Sequence, residues 1–396
     1  MNLSGEITLN GSKSISNRIL IIQALTGVPF NITGMSNAKD TEVLKSLLHN
    51  IDAPTLDAGE AGTAYRFMTA FLAWRGKDQL LVGNKRMCQR PIGVLADALN
   101  HLGANIHYID KVGYPPLRMK THNPASWGNK VTIGANVSSQ FISALLMLAP
   151  ILPHGLQLNL EGKVISRPYI QMTLNLMREF GVISEWEKSL IKVARQNYTP
   201  KSFHIEADWS AASYFYSLVS LSQNAEIQLN GLSKNSIQGD AVLVDIMQHF
   251  GVTTTFNSQG VLLKKKQREI APFNYDFSDC PDIAQTLAVI CAALNVKAEL
   301  TGLETLAIKE TDRISALKTE LDKLGCDTVS TSNSLLIKMG IQNKSQSPKI
   351  NTYNDHRMAM SFAPLALTLD GVQIQNKHVV NKSYPEFWKD FQSLGI

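Results

Sequence analysis

"VLADALNHLGANI", residues 94–106, has the spacing of an amphipathic helix closed by Gly103, and it decides the fold because the chain repeats it. Related stretches are "LNLMREFGVI" from Leu174, "LVDIMQHFGVT" from Leu243, "LKTELDKLGCD" from Leu317 and "FWKDFQSLGI" from Phe387. They end on Gly181, Gly251, Gly325 and Gly395, where a residue without a Cβ relieves the left-handed backbone that closes many helices. A sixth copy, "VLKSLLHNIDA" from Val43, has Asp52 at the glycine position, a residue that tolerates that region better than most.

Before each amphipathic copy the sequence predicts a second helix, apolar on nearly every side. "FISALLMLAP" from Phe141, "IAQTLAVICAAL" from Ile283 and "MAMSFAPLAL" from Met358 are the clearest, and such helices belong in an interior. Short β-type stretches such as "LQLNL", "AEIQLNGL" and "VQIQN" run between them. The unit reads as strand, buried helix, strand, amphipathic helix, strands, six times over. That is longer than the usual solenoid period of roughly 20 to 50 residues, so two globular domains of three units each are expected.

The starts of the buried helices carry the first chemical signal. They are "GSKS" at Gly11, "EAGTAYR" at Glu60, "SSQF" at Ser138, "ADWSAASY" at Ala207, "CPDIAQ" at Cys280 and "YNDHRMAM" at Tyr353. Five contain Ser, Thr or Asp in N-cap positions, and the sixth offers Asn354 and Asp355. Capping does not explain Lys13, Arg18, Arg66 and Arg357, cations placed near ends that already carry positive helix dipole. In "GSKSISNR" the helix is expected to begin near Ser14, because Ile15, Ile19 and Ile22 recur at helical spacing. An anion would resolve the conflict, and two such surfaces face to face would form a cleft for a multiply anionic ligand.

Composition agrees. The 396 residues carry a formal charge of +5, with the cations scattered rather than gathered in a block, which suits small acidic substrates better than nucleic acid. Cys88, Cys280, Cys291 and Cys326 make no metal-binding spacing and are read as reduced thiols. The start "MNLSGEITLNGSKS" has no basic segment followed by an apolar run, and no apolar stretch is long enough to span a bilayer. A soluble, cytoplasmic protein without membrane contact is expected.

The ordered set "GSKSISNR", "AGTAYR", "QRPIGVLADAL", "SSQFISALLMLAP", "SRPYI", "QGD", "CPDIAQT", "IKETDRISAL" and "YNDHRMAMSF" resembles the signatures of the 5-enolpyruvylshikimate-3-phosphate synthase family, from the first strand to "NKSYPEFWKDF". The resemblance implies an α/β fold of two similar domains, each of three βαβαββ units with buried parallel helices, an inside-out α/β barrel. Residues 1–12 and 208–396 would form the first domain and 13–207 the second, with the active site in the cleft between them. It implies transfer of the enolpyruvyl group of phosphoenolpyruvate to the 5-hydroxyl of shikimate 3-phosphate, without metal or cofactor, by a monomer whose partners are its two substrates.

Carried across by position, Lys13, Gly62, Arg90, Gln140, Arg313, Arg357 and Lys382 match the phosphoenolpyruvate site. Ser14, Arg18, Ser138, Ser139, Gln140, Ser166, Tyr169, Asp282 and Lys309 match the shikimate 3-phosphate site. Arginine suits the work because its planar fork pairs bidentately with carboxylate or phosphate. Asp282 and Glu310 are assigned to proton transfer, with Lys13 as charge stabiliser and acid; which group holds the proton is left open. His356 is read as a support for Arg357, and Cys88 as an ordinary thiol.

Three residues depart from the family pattern: Glu60 where many relatives have Asn, Phe67 where Pro is frequent, and Thr305 where some use Asn. Gly62 keeps the small residue that, in the family, leaves room for glyphosate. The sister family that uses UDP-N-acetylglucosamine as acceptor fits less well. Its early motif has Lys-Asn where this chain has Lys13-Ser14, and Cys88 is not at the spacing of its reactive cysteine. A non-catalytic anion-binding module is the reading from another class, opposed by retention of Lys13, Asp282 and Glu310.

Overall fold

The computed structural model describes residues 2–135, 138–343 and 347–396. The chain divides into two compact units, Met1–Ser12 with Glu206–Ile396, and Lys13–Ile205. The boundary differs slightly from the one expected. Glu206 and Ala207 belong to the first unit, because the Glu206 carbonyl accepts the Ser12 N–H at 2.8 Å and the Ala207 N–H donates to the Gly231 carbonyl at 2.9 Å.

Within the second unit, strands Thr55–Asp57, Gln79–Val82, Leu117–Met119 and Ile106–Tyr108 lie in that order across one sheet. The first pair is parallel and the other two are antiparallel. Lys130–Gly134, Leu156–Glu161, Leu190–Val193 and Ser184–Glu187 repeat the same order and sense. The first unit holds two further copies, one beginning with Asn2–Thr8 beside Asn224–Asn230 and one with Phe273–Asp276 beside Ala298–Thr301.

The remaining repeat of each unit is reduced to a two-residue parallel pair, Ile32–Thr33 with Phe203–His204 and Lys349–Ile350 with Gln373–Ile374. The sequence had suggested several strands in every repeat. One pair stops at Gly34, which has a left-handed φ of 69°, and the other stops before the turn at Thr352–Asp355.

Each unit has three buried helices. Those of the second unit are Lys13–Thr26, Gly62–Arg75 and Ser139–Leu148; those of the first are Trp209–Leu221, Ala284–Ala293 and His356–Phe362. Every residue of Ala284–Ala293 but the last is buried. Burying each large aliphatic side chain contributes about 1.5 to 3 kcal/mol, which compensates for a helix with no solvent face. Within each unit the three buried helices touch one another. In the first unit each contributes one hydroxyl to an interior chain, Ser213 to Thr286 at 3.1 Å and Thr286 to Ser361 at 3.2 Å. Among the described residues no helix is long and apolar enough to cross a membrane.

The amphipathic helices end as their glycines require, with left-handed φ at Gly103, Gly181, Gly251, Gly325 and Gly395. Asp52 does not follow them. Its helix stops at Asn50, whose side chain donates to the Ser46 carbonyl at 2.9 Å, so no left-handed residue is needed. The Asp52 carboxylate pairs instead with Arg75 and Lys77, each at 2.7 Å.

The capping expectation also needs correction. Ser138, Asp208 and Asp355 cap their helices, but the starts at Gly62 and Ala284 have no side-chain cap. Thr63 and Asp282, read as caps there, are engaged by other side chains: Thr63 accepts from Gln140 at 3.0 Å and Asp282 pairs with Arg357 at 2.9 Å.

Gly251 (φ 73°) and Gly395 (φ 81°) separate two costs of losing a closing glycine. A Cβ at Gly251 would lie 2.5 Å from the Lys266 carbonyl oxygen, whereas one at Gly395 meets nothing within 4 Å. Gly395→Ala should therefore cost only the conformational penalty, about 1 kcal/mol, and Gly251→Ala distinctly more. Urea unfolding of the two variants checks this, and equal midpoints would contradict it.

Candidate active site

In the second unit the site is built on the first turns of the buried helices. Arg18 lies one turn into Lys13–Thr26 and is buried. Its Nε donates to Thr173 Oγ1 at 2.7 Å, and its Nη2 to Ser143 Oγ at 3.0 Å and the Tyr169 carbonyl at 3.3 Å. Nη1 donates to the Ser14 carbonyl at 2.9 Å. The guanidinium also stands over the Phe67 ring, 5.5 Å from its centroid. All of these partners are uncharged, and burial pulls the Arg18 pKa down to about 10, so a full cation is kept in a dry place.

Gly62, Arg66, Arg90 and Gln140 form a second group in that unit. Arg66 donates to Gln140 Oε1 at 3.1 Å, and Gln140 Nε2 donates to Thr63, which ties the first turns of two buried helices together. A Cβ on Gly62 would stand 2.4 Å from an Arg90 nitrogen and 2.6 Å from an Arg66 nitrogen. Two guanidinium groups thus crowd onto the one position without a side chain. Lys13 pairs with Asp40 at 3.5 Å, and Glu60 with Lys39 at 3.5 Å. Ser138 and Ser139 open the helix that carries Ser143, while Ser166, left-handed at φ 54°, opens the helix that carries Tyr169 and Thr173.

The first unit gathers its charges differently, into an alternating cluster. Asp282 pairs with Arg357 at 2.9 Å, Arg313 at 3.4 Å and Lys309 at 3.6 Å. Glu310 lies between Arg313 at 3.0 Å and Lys382 at 3.3 Å. Arg313 is almost wholly buried and reaches Asp355 as well, at 2.7 Å. Arg357 donates to the Tyr214 hydroxyl and to Ser210 Oγ, each at 3.4 Å. Residues from the starts of all three buried helices of this unit are therefore joined at Arg357. Burial draws the Lys309 ammonium below the ordinary lysine value, with Asp282 acting against that.

Asp240, in the "QGD" stretch, completes the cluster. Its Oδ2 accepts from Ser210, and its Oδ1 is buried with no hydrogen-bond partner among the described residues. Burial first, and the nearby Asp282 charge second, push its pKa up to about 7.

The first unit brings together Asp282, Lys309, Glu310, Arg313, Arg357 and Lys382; in the second, Arg18 meets Ser14 and Tyr169, and Arg90 meets Gly62, with Gln140 joined through Arg66. The structure adds Asp40, Ser143, Thr173, Ser210 and Tyr214, and gives partners to Arg66, Asp240 and Asp355, which the sequence marks only as a helix-end cation, part of "QGD" and a cap. Arg66 had a signal, a cation at a helix start; the small hydroxyls had none, because their role depends on packing. His356 is buried, 3.8 Å from Asp355, which places it beside Arg357's cap. The Cys88 thiol donates to the Gly83 carbonyl, and burial raises its pKa, as expected of an ordinary thiol.

Residues 1–56 and 46–391 match the sequence pattern of the family described as EPSP synthase (3-phosphoshikimate 1-carboxyvinyltransferase). The 3-phosphoshikimate 1-carboxyvinyltransferase of Bacteroides fragilis (strain YCH46) is 45% identical over 397 residues, covering 100% of this chain and 96% of its own. That of Haemophilus influenzae (strain Rd) is 34% identical over 423 residues, covering 99% and 96%. Among solved structures, an EPSP synthase from Acinetobacter baumannii superposes with a TM-score of 0.77 at 19% identity, over 99% of this chain and 96% of that one. The enolpyruvyl transferase NikO from Streptomyces tendae gives 0.75 at 14% identity, over 99% and 95%. At such identities these two likenesses bear on the fold alone.

The raised Asp240 pKa carries a stability prediction. The folded chain holds a proton that the unfolded chain releases above about pH 4, so stability should fall as pH rises from there through about 7. Asp240→Asn removes this dependence. Urea unfolding should show the variant gaining on the parent from pH 5 to 7.5, and a difference independent of pH would refute the assignment.

Proposed function

The chain belongs to the EPSP synthase family, and from that premise we propose how its residues divide the transfer of the enolpyruvyl group from phosphoenolpyruvate to shikimate 3-phosphate. The reaction releases phosphate and serves the shikimate pathway to the aromatic amino acids. In this reading Ser14, Arg18, Ser138, Ser139, Gln140, Ser166 and Tyr169 bind shikimate 3-phosphate with Asp282 and Lys309. Lys13, Gly62, Arg90, Gln140, Arg313, Arg357 and Lys382 bind phosphoenolpyruvate. The units are read as inside-out barrels of parallel buried helices, supported by the mutual contact of those helices, and the active species as a monomer.

One observation carries the assignment: the Arg66 and Arg90 guanidinium groups meet at Gly62. Like charges so close repel, and a phosphate or carboxylate beside them turns that repulsion into paired attraction. Arg18, held by neutral groups only, offers its charge to a second anion.

For the chemistry, Asp282 takes the proton of the attacking 5-hydroxyl as its oxygen bonds to the central carbon of the enolpyruvyl group. A proton reaches the methylene carbon from the side of Glu310, with Lys13 steadying the charge. The tetrahedral adduct then loses phosphate as the methyl group returns a proton. Arg357 holds the Asp282 carboxylate at 2.9 Å, which fixes the base before substrate arrives. Lys309, lowered by burial, gives up a proton more readily than a surface lysine.

Phosphate release should occur with phosphoenolpyruvate and shikimate 3-phosphate together, and not when UDP-N-acetylglucosamine replaces the second substrate. Gly62→Ala puts a methyl group against both guanidiniums and should raise KM for phosphoenolpyruvate by about tenfold, leaving KM for shikimate 3-phosphate nearly unchanged. Steady-state kinetics on both substrates decide it; an equal rise in the two constants would refute the subsite assignment.

A further inference from the structure

The helix that carries Arg357 springs from a turn of unusual composition. The Thr352 carbonyl accepts the Asp355 N–H at 2.8 Å, and the two residues between, Tyr353 (φ 52°) and Asn354 (φ 57°), are both left-handed. This is the φ pattern of a type I′ turn, a form that favours Asn-Gly, Asp-Gly or Gly-Gly. Tyrosine has a Cβ and a bulky ring, for which the left-handed region is unfavourable. The turn therefore needs support from outside itself.

Helix Arg313–Lys323 supplies that support at two points. At its start, Arg313 binds both oxygens of Asp355 through Nε at 2.7 Å and Nη2 at 3.3 Å. Two turns further along, the fully buried carboxylate of Glu320 accepts the Tyr353 hydroxyl at 2.6 Å and the Asn351 N–H at 3.1 Å. Lys323, on the same helix, pairs with that carboxylate. On the other side, Asn376 donates to the Asn354 side chain at 2.8 Å. Asp355 passes the constraint on, because it accepts the Arg357 N–H at 2.8 Å and so fixes where the helix begins.

A buried carboxylate is expensive to desolvate, and nothing in the packing of an amphipathic helix calls for one at this place. We propose that Glu320 is a positioning residue for the transfer reaction: through Tyr353 it holds the left-handed turn that sets the place of Asp355 and aims Arg357. The inference rests on the reading of Arg357 as a phosphoenolpyruvate ligand.

The test uses Tyr353→Phe, which removes one hydroxyl and keeps the ring. The expected result is a loss of about tenfold in kcat/KM for phosphoenolpyruvate, mainly in KM, together with a lower thermal midpoint, because the buried Glu320 carboxylate loses a donor. Adding Asn354→Gly gives the turn a residue at home in the left-handed region and should recover most of the loss. Wild-type kcat/KM in Tyr353→Phe, or a loss that Asn354→Gly does not recover, would overturn the proposal. Arg357→Lys separates the two layers of the argument. If it leaves KM for phosphoenolpyruvate unchanged, the reading of Arg357 falls. If it raises that KM while Tyr353→Phe does not, only the role of Glu320 falls.

Discussion

Positive charge at positive helix ends must be compensated, and most of the polar architecture follows from how each unit does so. The first unit supplies carboxylates from its own residues: Asp282, Glu310 and Asp355 all bind Arg313. The second surrounds Arg18 with hydroxyls, carbonyls and an aromatic face, none of which cancels its charge. One repeated fold thus yields a cluster in which charges of both signs alternate and a cluster in which a buried cation stands among neutral groups. The repeat supplies the helix ends; only the side chains placed there differ.

The repeat itself was readable because it is written in local terms, apolar spacing and closing glycines, and five of those glycines have the left-handed backbone their position implied. What the sequence concealed is competition between local and distant partners. Thr63 and Asp282 have the chemistry of helix caps, yet Gln140 and Arg357 claim them. Asp52 looks like a closing residue, but Asn50 satisfies the helix end first. The candidate site was legible for the same reason that the caps were not. Cations at helix starts are conspicuous in a sequence, whereas Ser143, Thr173 and Ser210 acquire meaning only from what packs beside them.

The departures from the family pattern have uneven structural explanations. Phe67 provides the face on which Arg18 rests, worth roughly 0.5 to 2 kcal/mol depending on solvation. Glu60 brings an extra negative charge, and Lys39 stands 3.5 Å from it. Thr305 has a buried hydroxyl with no partner among the described residues, and nothing in the structure explains it.

The strand Asn2–Thr8 pairs in parallel with Asn224–Asn230, and the whole of the second unit lies between them in the chain. During synthesis the first strand leaves the ribosome with its partner not yet made, whereas Lys13–Ile205 can complete its own sheets as soon as it emerges. The unit that is completed last therefore closes around a strand made before the inserted unit began. In the cell this gives the nascent chain an exposed edge for the time needed to make the inserted unit, and a need for that unit to fold promptly.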